Sequence, residues 1–195
     1  MTFSSKGYLE RKTGAHGVGR FQYLQTLVTE FQDTHKEEYR LQVLANFANF
    51  AYDPINYEHF RKLNVLDVFL DVIAEDTDEK AIEFAIGGVC NCCLDKLNKE
   101  YLVENDGVEL AVKCLSSENE ETVLSAITTL MYLMTPQTKK AITGESVVDL
   151  MQRFSKSSNI RLSNLATVFL EDYCDKRLTG ETSAAKKRKL SEHTS

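Results

Sequence analysis

The sequence contains little proline or glycine and no tryptophan. Among its 195 residues there are two prolines and nine glycines. An all-β fold of this size needs many turns built from those two residue types, so their scarcity favours an all-α fold. No apolar run reaches the roughly 18 residues of a membrane helix, and the most apolar stretch, 65–74, is interrupted by Asp67 and Asp71. The composition predicts a helical protein that does not contact membranes.

The first residues and the cysteines predict an intracellular protein. Lys6, Glu10 and Arg11 place charge where a secretory signal has its apolar segment, so export is not expected. The five cysteines are an odd number and are expected to be free thiols in a reducing compartment.

Motifs of the common enzyme classes are missing. The stretch 14–19, Gly-Ala-His-Gly-Val-Gly, superficially suggests a phosphate loop, but no strand precedes it and no Gly-Lys-Ser/Thr ends it. There is no His-Glu-x-x-His and no Gly-x-Ser-x-Gly. Cys90 and Cys93 share a helical face, but structural zinc needs four ligands, so buried thiols are expected rather than a metal site. We therefore predict a binding protein that is not an enzyme and uses no cofactor or small-molecule substrate.

What the sequence does contain is a helical repeat. Residues 48–53 align with 90–95 at an offset of 42 residues, and Asn56 aligns with Asn98 at the same offset. The register continues at steps of 41 and then 38 residues. A helical period near 40 residues with short polar links is typical of armadillo and HEAT solenoids.

Each repeat is expected to contain a short helix, a second helix and a long third helix. The short helices are predicted at 55–62, 97–104 and 137–142, the second at 64–74, 107–116 and 145–155, and the third at 78–94, 120–134 and 159–174. Segment 19–52 supplies an incomplete first unit. The expected fold is an all-α, right-handed superhelical solenoid of about three and a half repeats at 19–175, between a mobile N-terminal arm (1–18) and a disordered basic tail (176–195).

Several strings resemble the armadillo-repeat family. Asn-Phe-Ala at 49–51 and Val-Cys-Asn-Cys at 89–92 stand where armadillo repeats carry Leu-x-Asn-Leu near the end of the third helix. More specific strings, which together resemble a small adaptor of this family over about residues 19–175, are 23–31, 42–54, 83–88, 119–131 and 169–173. The resemblance implies a nuclear component of the minor spliceosome that acts in pre-mRNA splicing with an RNA-recognition-motif protein near the capped end of a small nuclear RNA.

In a solenoid of this kind the third helices line a groove that binds a partner. An asparagine there can offer an acceptor and donors to an extended peptide backbone, or it can instead satisfy carbonyls at the end of its own helix. The expected groove residues are Asn49, Glu83, Gly87, Asn91, Thr128 and Tyr132. Import receptors of this superfamily add a tryptophan one turn before the asparagine, where this chain has Ala45, Gly87 and Thr128. A receptor for basic import peptides is therefore not expected.

Gly87 and Gly88 lie together inside a predicted helix, where each costs on the order of 1 kcal/mol relative to alanine. Close approach of a neighbouring helix would explain them, and so would a partner that docks over the bare backbone.

Charge is distributed unevenly along the chain. Residues 1–20 hold four basic and one acidic residue, and residues 176–195 hold six basic and two acidic residues. The 155 residues between them therefore carry a net charge of -13, against -6 for the whole chain. Acidic residues recur before two third helices, at 75–79 and 118–121, where the helix dipole favours them and where they would also form an acidic rim for a basic partner. An acidic solenoid favours a protein partner and leaves any direct contact with RNA to the tails.

The C-terminal tail carries a candidate nuclear import signal, Lys186, Lys187, Arg188 and Lys189. Basic runs also occur in tails that are merely solvated, but together with the resemblance this one favours the nucleus. The alternative is a cytoplasmic armadillo adaptor that binds an extended peptide in an unrelated pathway.

Overall fold

A computed structural model describes residues 3–13 and 17–174 of the chain. Regular structure in these ranges is entirely helical. The helices are α1 (Lys6–Thr13), α2 (Arg20–Asp33), α3 (Glu37–Ala51), a 3-10 helix (Pro54–Asn56), α4 (Tyr57–Lys62), α5 (Val65–Glu75), α6 (Glu79–Cys92), α7 (Lys96–Glu104), α8 (Gly107–Cys114), α9 (Glu120–Tyr132), α10 (Lys139–Ile142), α11 (Glu145–Phe154) and α12 (Ile160–Tyr173). None of the helices in these ranges has the length and apolar character needed to cross a bilayer.

The chain forms two compact units that divide after Met134. In the first unit, α2 and α3 form the incomplete repeat, α4 to α6 the first complete repeat and α7 to α9 the second. The second unit contains the last three-helix repeat, α10 to α12. The predicted helix bounds are confirmed to within about two residues, because apolar spacing and polar links mark them in each repeat.

The core of the first unit is built around its third helices, with α3 packed against α6 and α6 against α9. Phe47, Phe60 and Phe69 are fully buried, and their ring centroids lie 6.2 to 6.5 Å apart in edge-to-face arrangements. Such aromatic packing adds about 0.5 to 1.5 kcal/mol per pair beyond the burial of area. This cluster joins α3, α4 and α5, so it packs the incomplete first repeat against the first complete repeat.

Repeat junctions are closed by side chains that reach backward along the chain. The Lys113 ammonium on α8 donates to the carbonyl oxygens of Ile73 and Ala74 at 2.9 and 2.8 Å, which would otherwise be unpaired at the end of α5. Tyr101 on α7 donates from its hydroxyl group to Asp67 on α5. These contacts join the first complete repeat to the second.

The second unit is organised in the same way within itself. Its core contains Met151 from α11 with Ala166 and Phe169 from α12, all of them fully buried. Asn159 caps α12, and its Oδ1 atom accepts a hydrogen bond from the Arg161 amide at 2.9 Å. The Ser163 hydroxyl donates to the Ser155 carbonyl at 2.7 Å and ties α12 to the end of α11.

The segment expected to be a mobile arm contains helix α1, which no apolar periodicity predicts. Residues before this helix contact the two residues that follow α3: the Ser4 amide donates to Asp53 Oδ2 at 3.0 Å, and the Phe3 and Tyr52 rings lie 5.6 Å apart. The predicted basic tail at 176–195, with its candidate import signal, lies outside the described residues.

Candidate functional site

The third helices of the first unit present one partly exposed surface, which we call the third-helix face. Residues four apart share one side of a helix, and the side in question carries Ala45 and Asn49 on α3, Gly87 and Asn91 on α6, and Thr128 and Tyr132 on α9. Asn49 is exposed, and 39% of Tyr132 is exposed. Because α3, α6 and α9 pack in succession, the structure brings the predicted groove positions onto adjacent helices.

The two asparagines of this face are used differently. Asn91 donates from its side-chain Nδ2 to the Ala48 carbonyl at 3.3 Å, and the backbone carbonyl of Asn91 accepts from the Tyr57 hydroxyl at 2.8 Å. The exposed Asn49 side chain has no hydrogen bond within the described part of the chain. Asn91 therefore ties α6 to α3 rather than capping its own helix, whereas the donors and acceptor of the Asn49 side chain are unbonded within the described residues.

The two glycines of α6 also differ. A Cβ atom on Gly88 would lie 2.3 Å from the Cζ atom of Phe69, so close packing against α5 explains this residue. A Cβ atom on Gly87 would meet nothing within 4 Å. Packing thus accounts for Gly88 alone, and Gly87 leaves bare backbone on the third-helix face.

Glu83 is not a free carboxylate. Its Oε1 atom accepts from Lys80 Nζ at 2.7 Å and its Oε2 atom from Asn119 Nδ2 at 2.6 Å, and 19% of its side chain is exposed. Burial raises the pKa of Glu83, but the hydrogen bonds from Lys80 and Asn119 outweigh it and hold the pKa below its ordinary value of 4.5. Glu83 links α6 to the start of α9, so it fixes the spacing of two helices of the face.

Thr128 likewise has an internal partner, since its hydroxyl donates to the Leu124 carbonyl of α9 at 2.8 Å.

Asn119 is the residue of this region that sequence reasoning missed. Its position before Glu120 is the signal of a helix cap, and Asn119 Oδ1 does accept from the Glu121 amide at 2.9 Å. The bond to Glu83, 36 residues away, has no local signal in the sequence.

A cleft of about 570 Å³ lies beside the face, at the start of α3 and the link between α5 and α6. Its lining includes Leu41 and Asp78, the positions one repeat before Glu83 and Asn119. The leucine side chain cannot accept a hydrogen bond. The bond that joins Glu83 to Asn119 in the next repeat therefore has no counterpart between Leu41 and Asp78. The Arg40 guanidinium lies 4.3 Å from the centre of the Phe31 ring in the same cleft.

The acidic residues of the link before α6 accept hydrogen bonds from nearby backbone amides. Asp76 Oδ1 accepts from the amides of Thr77 and Asp78, and Asp78 Oδ1 accepts from the Lys80 amide at 2.8 Å. These bonds shape the link and cap α6, which is the helix-terminus explanation of the acidic residues.

The cysteines lie in environments that disfavour the thiolate. Burial raises the pKa of Cys90 and of Cys114 to about 11, and burial also raises the pKa of Cys92 and Cys93. Nucleophilic and metal-binding cysteines need the thiolate, which these surroundings suppress. Within residues 3–13 and 17–174, no group of three or more His, Cys, Asp or Glu side chains is arranged to hold a metal ion.

None of the protein-family models matches the chain. Armadillo repeat-containing protein 7 of Mus musculus is 54% identical over 159 residues, which cover 80% of this chain and 80% of the mouse protein.

Solved structures with a similar fold include designed armadillo proteins. One, a designed armadillo repeat protein in complex with the peptide (KR)4, has a TM-score of 0.66 at 18% identity and matches 77% of this chain and 64% of its own. Another, a computationally designed armadillo repeat protein for modular peptide recognition, has a TM-score of 0.67 at 19% identity. The match covers 76% of this chain and 63% of the designed protein. The chain spans just under two thirds of the length of these two structures. Their likeness confirms the armadillo-type fold predicted from the repeats.

Proposed function

This chain belongs to the family of armadillo repeat-containing protein 7, and from that premise we propose that it is a nuclear component of the minor spliceosome that acts in pre-mRNA splicing. Armadillo repeat proteins are generally non-enzymatic scaffolds for protein interaction, and the family and the fold support the same role for this chain. The proposal adds a partner, a protein with an RNA-recognition motif, and the nucleus as the place of action.

The observation that carries the proposal is that the third-helix face is partly exposed and has an amide without an internal partner among the described residues. Asn49 has an unbonded amide, Gly87 exposes backbone, and Tyr132 is partly exposed on the adjacent helix. An extended segment of a partner can bond through its main chain to the Asn49 amide and place a side chain against the tyrosine. We therefore assign the partner protein to this face.

Charge supports an indirect relation to RNA. Residues 21–175 carry a net charge of -13, which repels phosphate and favours a basic protein surface. In the proposed arrangement the partner contacts the RNA, and the scaffold holds the partner.

The test is affinity purification of the full-length tagged chain from nuclear extract, with and without ribonuclease. We expect an RNA-recognition-motif protein to be recovered in both conditions and spliceosomal RNA only without ribonuclease. Loss of the protein after ribonuclease would show that RNA bridges the two and would contradict a direct protein contact.

A pair of variants tests the face itself. Asn49→Ala with Tyr132→Ala removes one exposed amide and one exposed tyrosine from the third-helix face and is expected to reduce partner recovery about tenfold or more. Gln32→Ala with Tyr39→Ala removes the same two side-chain types from exposed positions off the face and serves as the matched control. Equal recovery with both double variants would refute the assignment to this face.

Localisation separates the proposal from its alternative. The intact tagged chain is expected in the nucleus, and removal of 186–189 is expected to shift it toward the cytoplasm. A uniform cytoplasmic signal from both proteins would favour a cytoplasmic adaptor of another pathway.

A further inference from the structure

Two junctions in the first compact unit have the same polar framework. Asp53 and Asn56 precede and end the 3-10 helix, and Asp95 and Asn98 stand 42 residues later, at the start of α7. Both asparagines are buried, Asn56 with 1% of its surface exposed and Asn98 with none. Each donates from Nδ2 to a carbonyl of the preceding third helix, at 2.8 Å to Phe50 and 3.3 Å to Cys92.

The second junction is completed by an arginine. Arg61 on α4 donates from Nη1 to Asp95 Oδ1 at 2.7 Å and to Asn98 Oδ1 at 2.6 Å. Asp95 Oδ1 also accepts from the Asn98 amide at 3.0 Å. One guanidinium thus satisfies both the carboxylate and the buried amide oxygen.

The first junction lacks that donor. Asp53 Oδ1 accepts from the Ile55 amide at 3.4 Å and Asp53 Oδ2 from the Ser4 amide at 3.0 Å. Asn56 Oδ1 is buried and has no hydrogen-bond partner among the described residues. Nδ2 of the same amide donates to the Phe50 carbonyl, so turning the amide over would lose this bond and place two oxygen acceptors against each other.

The difference follows from the incomplete first repeat. Arg61 lies on the first helix of its repeat, and the position 42 residues before it is Gly19, which has no side chain. None of the other three arginines of this unit, Arg11, Arg20 and Arg40, bonds to Asn56 Oδ1. The Arg20 guanidinium lies 4.6 Å from the Phe50 ring centre, and that of Arg40 lies over Phe31. The first junction therefore has the acceptors of the second without its arginine.

We propose that Asp53 and Asn56 form a binding site for an arginine side chain of a partner protein, which docks on the incomplete first repeat and completes it as Arg61 completes the next. Leaving a buried polar atom unpaired is unfavourable, so a donor that reaches Asn56 Oδ1 gains more than one that bonds to an exposed oxygen. A guanidinium carries several N–H donors on a weakly hydrated plane and is easier to bury than the ammonium of lysine. The carboxylate of Asp53 at the same junction favours a cationic side chain over a neutral one.

The test is an NMR titration of the full-length, 15N-labelled protein with N-acetyl-arginine amide. We expect a saturable shift of the Asn56 side-chain amide signals, weaker binding of N-acetyl-lysine amide at equal ionic strength, and about tenfold weaker arginine binding by Asp53→Asn. Asp53→Asn keeps a side-chain oxygen for the Ile55 amide, so the local turn is retained. Equal affinity for the two probes would overturn the assignment to arginine.

Two further variants make the experiment decisive. Arg61→Ala removes the internal arginine, so the same probe is expected to shift the Asn98 side-chain amide as well. Ser4→Pro removes the backbone N–H that occupies Asp53 Oδ2 and is expected to raise the affinity at Asn56 several-fold. The absence of a saturable Asn56 response in both the wild type and Ser4→Pro would overturn the proposal, whatever partner the third-helix face binds.

Discussion

Asn91 and Ala48 are joined across the interface of two third helices: Asn91 Nδ2 donates to the Ala48 carbonyl oxygen at 3.3 Å. The bond crosses between α3 and α6 over 43 residues of sequence. Asn49, 42 residues before Asn91, projects from α3 with its side chain exposed and unbonded within the described ranges. Equivalent residues of successive repeats thus serve different purposes, which substitutions can separate.

Asn91→Ala is expected to lower the free energy of unfolding by about 1 kcal/mol, because it leaves the Ala48 carbonyl without this donor. Asn49→Ala is expected to change it by less than about 0.5 kcal/mol, as is usual at exposed positions. Urea denaturation followed by circular dichroism measures both values. An equal loss in the two variants would contradict the different roles of these asparagines.

Alanine substitutions at the two neighbouring glycines are expected to have opposite effects on stability. Gly87→Ala has space for its methyl group and a better helix propensity, so it should stabilise the protein by up to about 1 kcal/mol. Gly88→Ala forces the Phe69 ring to move and should destabilise it by about 1 to 3 kcal/mol. Thermal unfolding of the two variants measures the effects, and a Gly88→Ala protein as stable as the wild type would contradict the close packing on Phe69.

Gly87→Ala also tests the bare backbone as a contact surface. If a partner packs on it, this more stable variant should bind the partner less well, since the added methyl group occupies the contact. Unchanged binding would show that the partner does not pack on the Gly87 backbone and contacts other residues of the third-helix face.

Glu83 is expected to make part of the stability dependent on pH. Its folded-state pKa lies below the ordinary value of 4.5, so the ionised side chain stabilises the folded state above that pH. This contribution is lost as the pH falls through the lower, folded-state pKa. The difference in unfolding free energy between wild type and Glu83→Gln should therefore be largest near pH 6 to 7 and shrink below about pH 4.5.

Chemical denaturation at a series of pH values provides the measurement for Glu83. Glu109→Gln, at an exposed position on α8, is the matched control and should follow the wild-type profile more closely. A difference for Glu83→Gln that stayed constant down to pH 3 would contradict the bonded carboxylate.

The thiols are expected to react slowly in the folded protein. A pKa of about 11 for Cys90 and Cys114, against the ordinary 9.0, reduces the thiolate fraction at pH 8 about a hundredfold. Burial adds a steric barrier, so a disulfide reagent at pH 8 should label the unfolded protein far faster than the native one. A thiol that reacts in the native state as fast as free cysteine would contradict this and reopen the question of catalysis.

The sequence by itself determined the repeat, the bounds of its helices and the family. These features are carried by the spacing of apolar residues and by link residues such as Asp53-Pro54, which act within a few positions of themselves. Even the two glycines of α6 could be singled out this way, although only the position of Phe69 distinguishes Gly88 from Gly87.

Only the tertiary structure decided which polar groups meet. The bond between Glu83 and Asn119 spans 36 residues, and Arg61 reaches Asn98 across 37. Helix α1 also has no apolar pattern that would predict it. Local sequence fixes where a helix starts and which side is apolar, but the pairing of side chains depends on how one repeat packs on the next. For the same reason the unpaired oxygen of Asn56 became visible only in the folded chain, beside a junction that Arg61 completes.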